Sequence, residues 1–222
     1  MSATARPFTV RSVQLLRALF AAASAVMITF SSDHSAAVGF AVFGGFVAAS
    51  GFVLLLGAWL VAPAGGRWPY ILLGVIDLLT AVASGIPTWR VDSAFFIVVI
   101  IWAAATGLVE LIAGLRARRT DRGAATDAVV VGVLGLVLAV VLLVIPADYL
   151  LDYEVAGAGA LQLTGIILAV GMVGGYTAIV AVFLGIAGLS PRRSEKAPAS
   201  GATSEAAAAD ATSAPAETGG AA

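Results

Sequence analysis

One stretch, residues 94–122 (AFFIVVIIWAAATGLVELIAGLRARRTDR), constrains the chain more than any other. Its apolar run, 94–115, contains a single ionisable side chain, Glu110, and four arginines (Arg116, Arg118, Arg119 and Arg122) crowd its exit. A helix crossing a hydrocarbon core of ~30 Å needs ~20 such residues. The run therefore reads as a membrane span, and its basic exit as the cytoplasmic end. Composition extends this to the whole chain: 60% of residues are hydrophobic and 11% charged, against ~25% charged in a soluble domain. The expected class is an all-α, polytopic membrane bundle.

Six spans are expected, at about 15–30, 36–61, 70–86, 94–115, 128–145 and 163–189. Residues 1–14 form a cytoplasmic N-terminal segment ahead of them. The start, with Arg6, Arg11 and Arg17 before a short apolar run, also fits a signal peptide. The uncleaved reading is preferred, because the next span follows after only SSDHS. Pro63, Pro87 and Pro146 end spans two, three and five, since Pro cannot continue a helix. Trp68, Tyr70 and Trp89 suit the membrane interface.

The region 155–189 admits two readings: two short spans turning at Gly174-Gly175, or a loop through Asp148, Asp152 and Glu154 before one long span. Charge decides between them. With six spans and the N-terminus inside, every positive residue except Arg90 falls on the inner face, a positive-inside pattern. The expected placement is the cell (inner or plasma) membrane, with both termini cytoplasmic. Residues 190–222 are Ala, Ser, Thr, Pro, Gly and Glu with almost no large apolar side chain, so a disordered tail is expected.

The spans repeat. GVIDLLTAVASGIP (74–87) resembles GVLGLVLAVVLLVIP (132–146), and ASGFVLLL (49–56) resembles ATGLVELI (105–112). Three helical hairpins of about one repeat each are expected. The sixth span aligns with the fourth in either of two registers, the preferred one pairing Tyr176 with Trp102. Apolar hairpins, outer-turn prolines, small-residue stripes and Arg-rich inner ends together resemble the HdeD-like acid-resistance membrane proteins, over residues 12–192. That resemblance implies a six-helix inner-membrane protein linked to acid stress. It supplies no catalytic residues, and the enlarged last loop and the tail depart from the family's usual pattern.

Two acids lie inside the spans. Glu110 is six residues before Arg116, ~9 Å of helix from the inner boundary, on one face with Ala103, Gly107 and Gly114. Asp77 lies ~10 Å deep from the same side, on a face with Gly74 and Ser84. Small residues let neighbouring helices approach, so both acids are expected to face protein. An acid at mid-membrane costs ~3 kcal/mol and needs a partner or a proton. The expectation is one intramembrane polar cluster of Asp77, Glu110 and Arg17, the acids sharing a proton. The plainer alternative has Glu110 reaching Arg116 and Asp77 bonded to a hydroxyl or a carbonyl.

Other chemistry has little support. There is no Cys and a single His, His34, in the first outer turn beside Asp33, so no metal, cofactor or catalytic site is expected. His34 and the outer acids read as solvated loop residues, and Trp102 and Tyr176 as packing. Walker, GxSxG and HExxH motifs are absent from the sequence. A net charge of −1 gives no nucleic-acid face. The expected partners are the bilayer and, at the arginine cluster, anionic lipid. Two functions stand open: a structural or stress-response membrane protein, and a small transporter or proton-linked pathway using Asp77 and Glu110.

Overall fold

The computed structural model describes residues 8–119, 122–155 and 159–190. Six α-helices are found among them: α1 (Val10–Phe30), α2 (Ala36–Leu60), α3 (Trp68–Ser84), α4 (Asp92–Ala117), α5 (Arg122–Val144) and α6 (Gly165–Leu189). Five, of 21 to 26 residues, are long and apolar enough to cross a membrane, and α3 is shorter than these, at 17 residues. The expected tail at 190–222, with Arg192, Arg193 and Lys196, lies outside the described residues except for Ser190, as does Arg6.

Local chemistry sets the helix ends. The Ser35 hydroxyl caps α2 by accepting from the Val38 N–H (3.4 Å), and Asp33 holds that turn by accepting from the Ser35 N–H (2.8 Å). Pro sits in the first turn of α3, where its missing N–H costs nothing. Asp92 opens α4 and Arg116 closes it, each matched to the helix dipole. Arg11 ties the ends of the fold together: its Nε donates to Gly188 O (2.7 Å) and its Nη2 to Leu189 O (3.1 Å), the free carbonyls at the end of α6.

Several boundaries differ from the sequence expectation. α1 begins at Val10 rather than 15, and α5 at Arg122 rather than 128. Hydropathy marks the thickness of hydrocarbon, whereas backbone hydrogen bonding continues outward wherever polar side chains meet water. α6 runs unbroken through Gly174-Gly175, as one helix. The all-α class holds, with one addition to the expected loop. The loop before α6 contains an antiparallel hairpin, β1 (Leu150–Val155) with β2 (Gly159–Thr164), pairing Leu151 with Leu163 and Tyr153 with Leu161. Those apolar residues share one face and Asp152, Glu154 and Gln162 take the other, a period of two that the acids had disguised as solvated loop.

The helices pack most closely as α2 with α3, α4 with α5, and α1 with α6. This is out of phase with hairpins grouped from the N-terminus. Glycine is the reason. A Cβ on Gly132 would sit 2.6 Å from Leu111 N and 2.7 Å from Gly107 O, so α5 rides directly on the α4 backbone. Gly51 and Gly74 meet in the same way, each Cβ position lying 3.0 Å from the other's carbonyl oxygen. Gly188 brings α6 against Leu15 of α1 (2.7 Å). Such contacts gain dispersion energy without needing water to be expelled, which is how helices associate in lipid.

The outside of the bundle is apolar. Phe30 is 82% exposed and Trp59 80%, and Leu79, Val82, Ile101 and Leu143 also face outward. An exterior of this kind needs an apolar solvent. The length and apolarity of five helices agree, and the chain is a multi-pass, membrane-spanning protein.

Candidate functional site

Two sectors fill the interior. Toward the end that holds Arg90 and the β-hairpin, the interior is aromatic and closed. Phe40, Phe43 and Phe95 are each at most 1% exposed. Phe95 stands edge-on to Phe40 (5.2 Å between centroids), and Trp102 edge-on to Phe43 (5.0 Å) and to Tyr176 (5.8 Å). These geometries suit the ring quadrupoles.

Toward the opposite, arginine-rich end the interior opens. A cavity of about 540 Å³ lies among the start of α1, the α2–α3 turn and the facing ends of α4 and α5. Small side chains line it: Ala113 and Ala117 on α4, Ala124 and Ala128 on α5. Its polar lining includes Gln14, Arg17, Glu110, Arg116 and Asp127.

At the inner limit of this cavity Arg17 Nη2 donates to Glu110 Oε1 at 2.6 Å. The Glu110 side chain is 7% exposed and that of Arg17 20%, so the pair is partly withdrawn from solvent. Beyond it lies a second, much smaller cavity of about 10 Å³, lined by Arg17, Ser50, Asp77, Trp102, Glu110 and Tyr176. That is room for about one water. Ser50 Oγ is buried there without a hydrogen-bond partner among the described residues. Asp77 accepts a hydrogen bond from Trp102 Nε1 at 2.7 Å.

The structure thus brings Asp77, Glu110 and Arg17 to one small space. The pairings differ from the plainer alternative. Glu110 bonds Arg17, while Arg116 lies over the Trp68 ring, 5.4 Å from its centroid. Asp77 bonds an indole, neither a hydroxyl nor a carbonyl. No hydrogen bond joins Asp77 to Glu110 or Arg17 among the described residues. Arg118 and Arg119 are exposed at the end of α4 and Arg122 at the start of α5, a basic rim to the large cavity. His34 is half-buried in the first turn and lies apart from this site. No group of residues that could hold a metal occurs among the described residues.

The sequence reading misses Gln14 and Asp127 and gives Trp102 only a packing role. Gln14 Nε2 donates to Asp127 Oδ2 at 2.9 Å, joining α1 to α5 at the cavity wall. Spans drawn from 15 and from 128 excluded each residue by one position. Trp102 was read as packing. A Trp at mid-helix, far from either interface, carries an N–H that needs an acceptor, and Asp77 was the available acid. No protein-family profile, no curated protein sequence and no solved structure matches the chain.

Proposed function

We propose that this protein is a six-span transporter of the cell membrane, inward-open, moving protons or a proton-linked solute through Arg17, Glu110 and Asp77. One observation carries the reading: the 540 Å³ cavity at the arginine-rich end reaches the Arg17–Glu110 pair, and the small cavity behind it adds Asp77, before the aromatic sector closes the path. Intramembrane acids at the end of a one-sided cavity are where proton-linked transport needs them. The function is passage across the membrane rather than catalysis.

In this reading α3 is the sixth span. Its 17 residues give ~25 Å of helix, at the short limit for crossing, and Trp68 and Trp89 bracket it as interfacial anchors. Both termini and the arginine-rich rim face the cytoplasm, by the charge pattern, and the rim attracts anionic lipid. The repeat enters as pairs α2–α3 and α4–α5. Its support is that Gly51 against Gly74 and Gly107 against Gly132 make equivalent contacts at the aligned positions, with α6–α1 as the third hairpin, closed across the ends of the chain.

The test is reconstitution into vesicles carrying an internal pH indicator, followed by an imposed pH gradient. The wild-type chain is expected to dissipate the gradient faster than protein-free vesicles, and Asp77→Asn and Glu110→Gln to slow it to the protein-free rate. If both variants dissipate it as the wild type does, the carboxyls are not the pathway. The resemblance to HdeD-like proteins supports a second reading, a role in acid or envelope stress. It is checked by acid-challenge survival of a deletion strain complemented with the same variants.

A further inference from the structure

We infer that the β1–β2 hairpin is a membrane-surface anchor, its apolar face lying on the headgroup layer of the leaflet at the end of the bundle opposite the arginine rim. The inference stands apart from the transport reading. Register sets the two faces. Leu151 pairs with Leu163 and Tyr153 with Leu161, so these four side chains cover one side of the ribbon. Asp152, Glu154, Ala160 and Gln162 take the other, with Leu150 at its base. The bundle leaves the apolar side open: Leu151 is 46% exposed, Tyr153 42% and Leu161 40%. The strands pack on each other, and β2 also on the start of α6. A two-stranded hairpin alone is marginal in water, so this face needs a further surface to rest on.

Position, composition and depth select the bilayer as that surface. The Gly165 N–H donates to Tyr149 O (2.8 Å) and the Tyr149 N–H to Pro146 O (3.1 Å). These bonds tie the root of the hairpin to the ends of α5 and α6, where both helices leave the hydrocarbon. Leu143 and Val144 are 68% and 75% exposed in the last turn of α5, so the lipid-facing exterior runs up to that root. Tyr149 and Tyr153 supply the amphipathic rings that concentrate at headgroup level. Asp148, Asp152 and Glu154 are the only charged residues between Pro146 and Thr164, and both strand acids lie on the side away from the apolar face. Apolar contact therefore holds the hairpin down, rather than attraction to anionic lipid. A second copy pairing along the β1 edge would set Asp152 and Glu154 against their own kind on one face, which is unfavourable. The sheet has two strands, so each strand keeps an outer edge of N–H and C=O groups. Hydrocarbon does not tolerate such edges, and the hydrated headgroup layer does.

The chain has no Cys, so a thiol-reactive fluorophore can be placed at one position at a time. Leu151→Cys, Tyr153→Cys and Leu161→Cys label the apolar side, and Asp152→Cys, Glu154→Cys and Gln162→Cys the other. Leu143→Cys, on the outward face of α5, supplies the lipid-exposed reference. The full chain is placed in phosphatidylcholine nanodiscs, and quenching by aqueous iodide is compared with quenching by lipids carrying a nitroxide near the headgroup or near the chain end. Labels on the apolar side are expected to be quenched by the shallow nitroxide on the order of threefold more than labels on the other, with iodide reversing the order. If all six respond alike to iodide and to neither nitroxide, the hairpin stands in water and the inference fails. It fails equally if the apolar side is shielded from iodide and nitroxides together, which means a protein cover, or if the deep nitroxide quenches more strongly than the shallow one. Leu151→Asp with Leu161→Asp, labelled at Tyr153→Cys, is expected to lower shallow quenching to the level of the polar side. Quenching retained in that variant overturns apolar contact as the anchor. Added phosphatidylglycerol is expected to change nothing, and contact that forms only with this anionic lipid overturns the inference in favour of charge.

Discussion

The two halves of the bundle are built from the same six helices and differ in almost everything else. In the half around Phe40, Phe43 and Phe95 the interior is filled by rings in edge-to-face contact. In the half around Gln14, Arg17 and Asp127 the helices present alanine and glycine, and a large cavity results. Trp102 is the hinge between them, its ring against Phe43 and its N–H on Asp77. The difference teaches that access here is a matter of side-chain volume rather than of helix arrangement. One sector is plugged by aromatics, the other hollowed by small residues, and the ionisable groups lie where the hollow ends.

That contrast can be broken most severely at the ion pair. Arg17→Ala strands Glu110 in a partly desolvated position and is expected to cost ~3 kcal/mol or more of stability. Arg17→Ala with Glu110→Gln should recover most of it, as read by thermal unfolding in detergent. Equal stability of Arg17→Ala and the wild type would mean that the pair is solvated and the hollow half wetter than described. Access itself comes next. The native chain has no Cys, so single introduced thiols report without background. Ala113→Cys, on the cavity wall, is expected to react with a membrane-impermeant maleimide on the order of 100-fold faster than Val99→Cys, in the aromatic half. Comparable rates would erase the distinction between the halves. Trp102→Phe keeps an aromatic ring, though a smaller one, and removes the donor to Asp77. It should cost ~1–3 kcal/mol through the unbonded carboxyl, and adding Asp77→Leu should relieve part of that loss. The smallest effect is expected at Gly45, where an added Cβ meets nothing within 4 Å. Gly45→Ala should lie within ~1 kcal/mol of wild type, on the stabilising side, whereas Gly132→Ala must push α4 and α5 apart. Similar unfolding temperatures for these two variants would deny glycine its role in setting the close pairs.

Much of this was legible in the sequence because the signals were of membrane scale. Apolar runs, prolines and arginine placement locate all six helices, and small residues at 103, 107 and 114 turn Glu110 toward protein. What escaped was anything decided at a resolution of one residue. Gln14 and Asp127 sit where hydropathy falls and helix continues, so a boundary drawn at the fall removed both from view. Trp102 needed knowledge of which helix face meets Asp77, and that depends on how glycines bring α2, α3 and α4 together. The β-hairpin was hidden by its own acids, which alternate with Leu151 and Tyr153 and read as loop when alternation is not counted.

The Arg11 bonds to the last carbonyls of α6 carry a consequence for biogenesis. α1 leaves the ribosome well before α6, yet they are among the most closely packed pairs. α1 therefore waits, its best partner unsynthesised, until the four helices between them have been made. The α1–α6 contact closes only when α6 arrives, and a nascent chain halted after α5 leaves α1 without it.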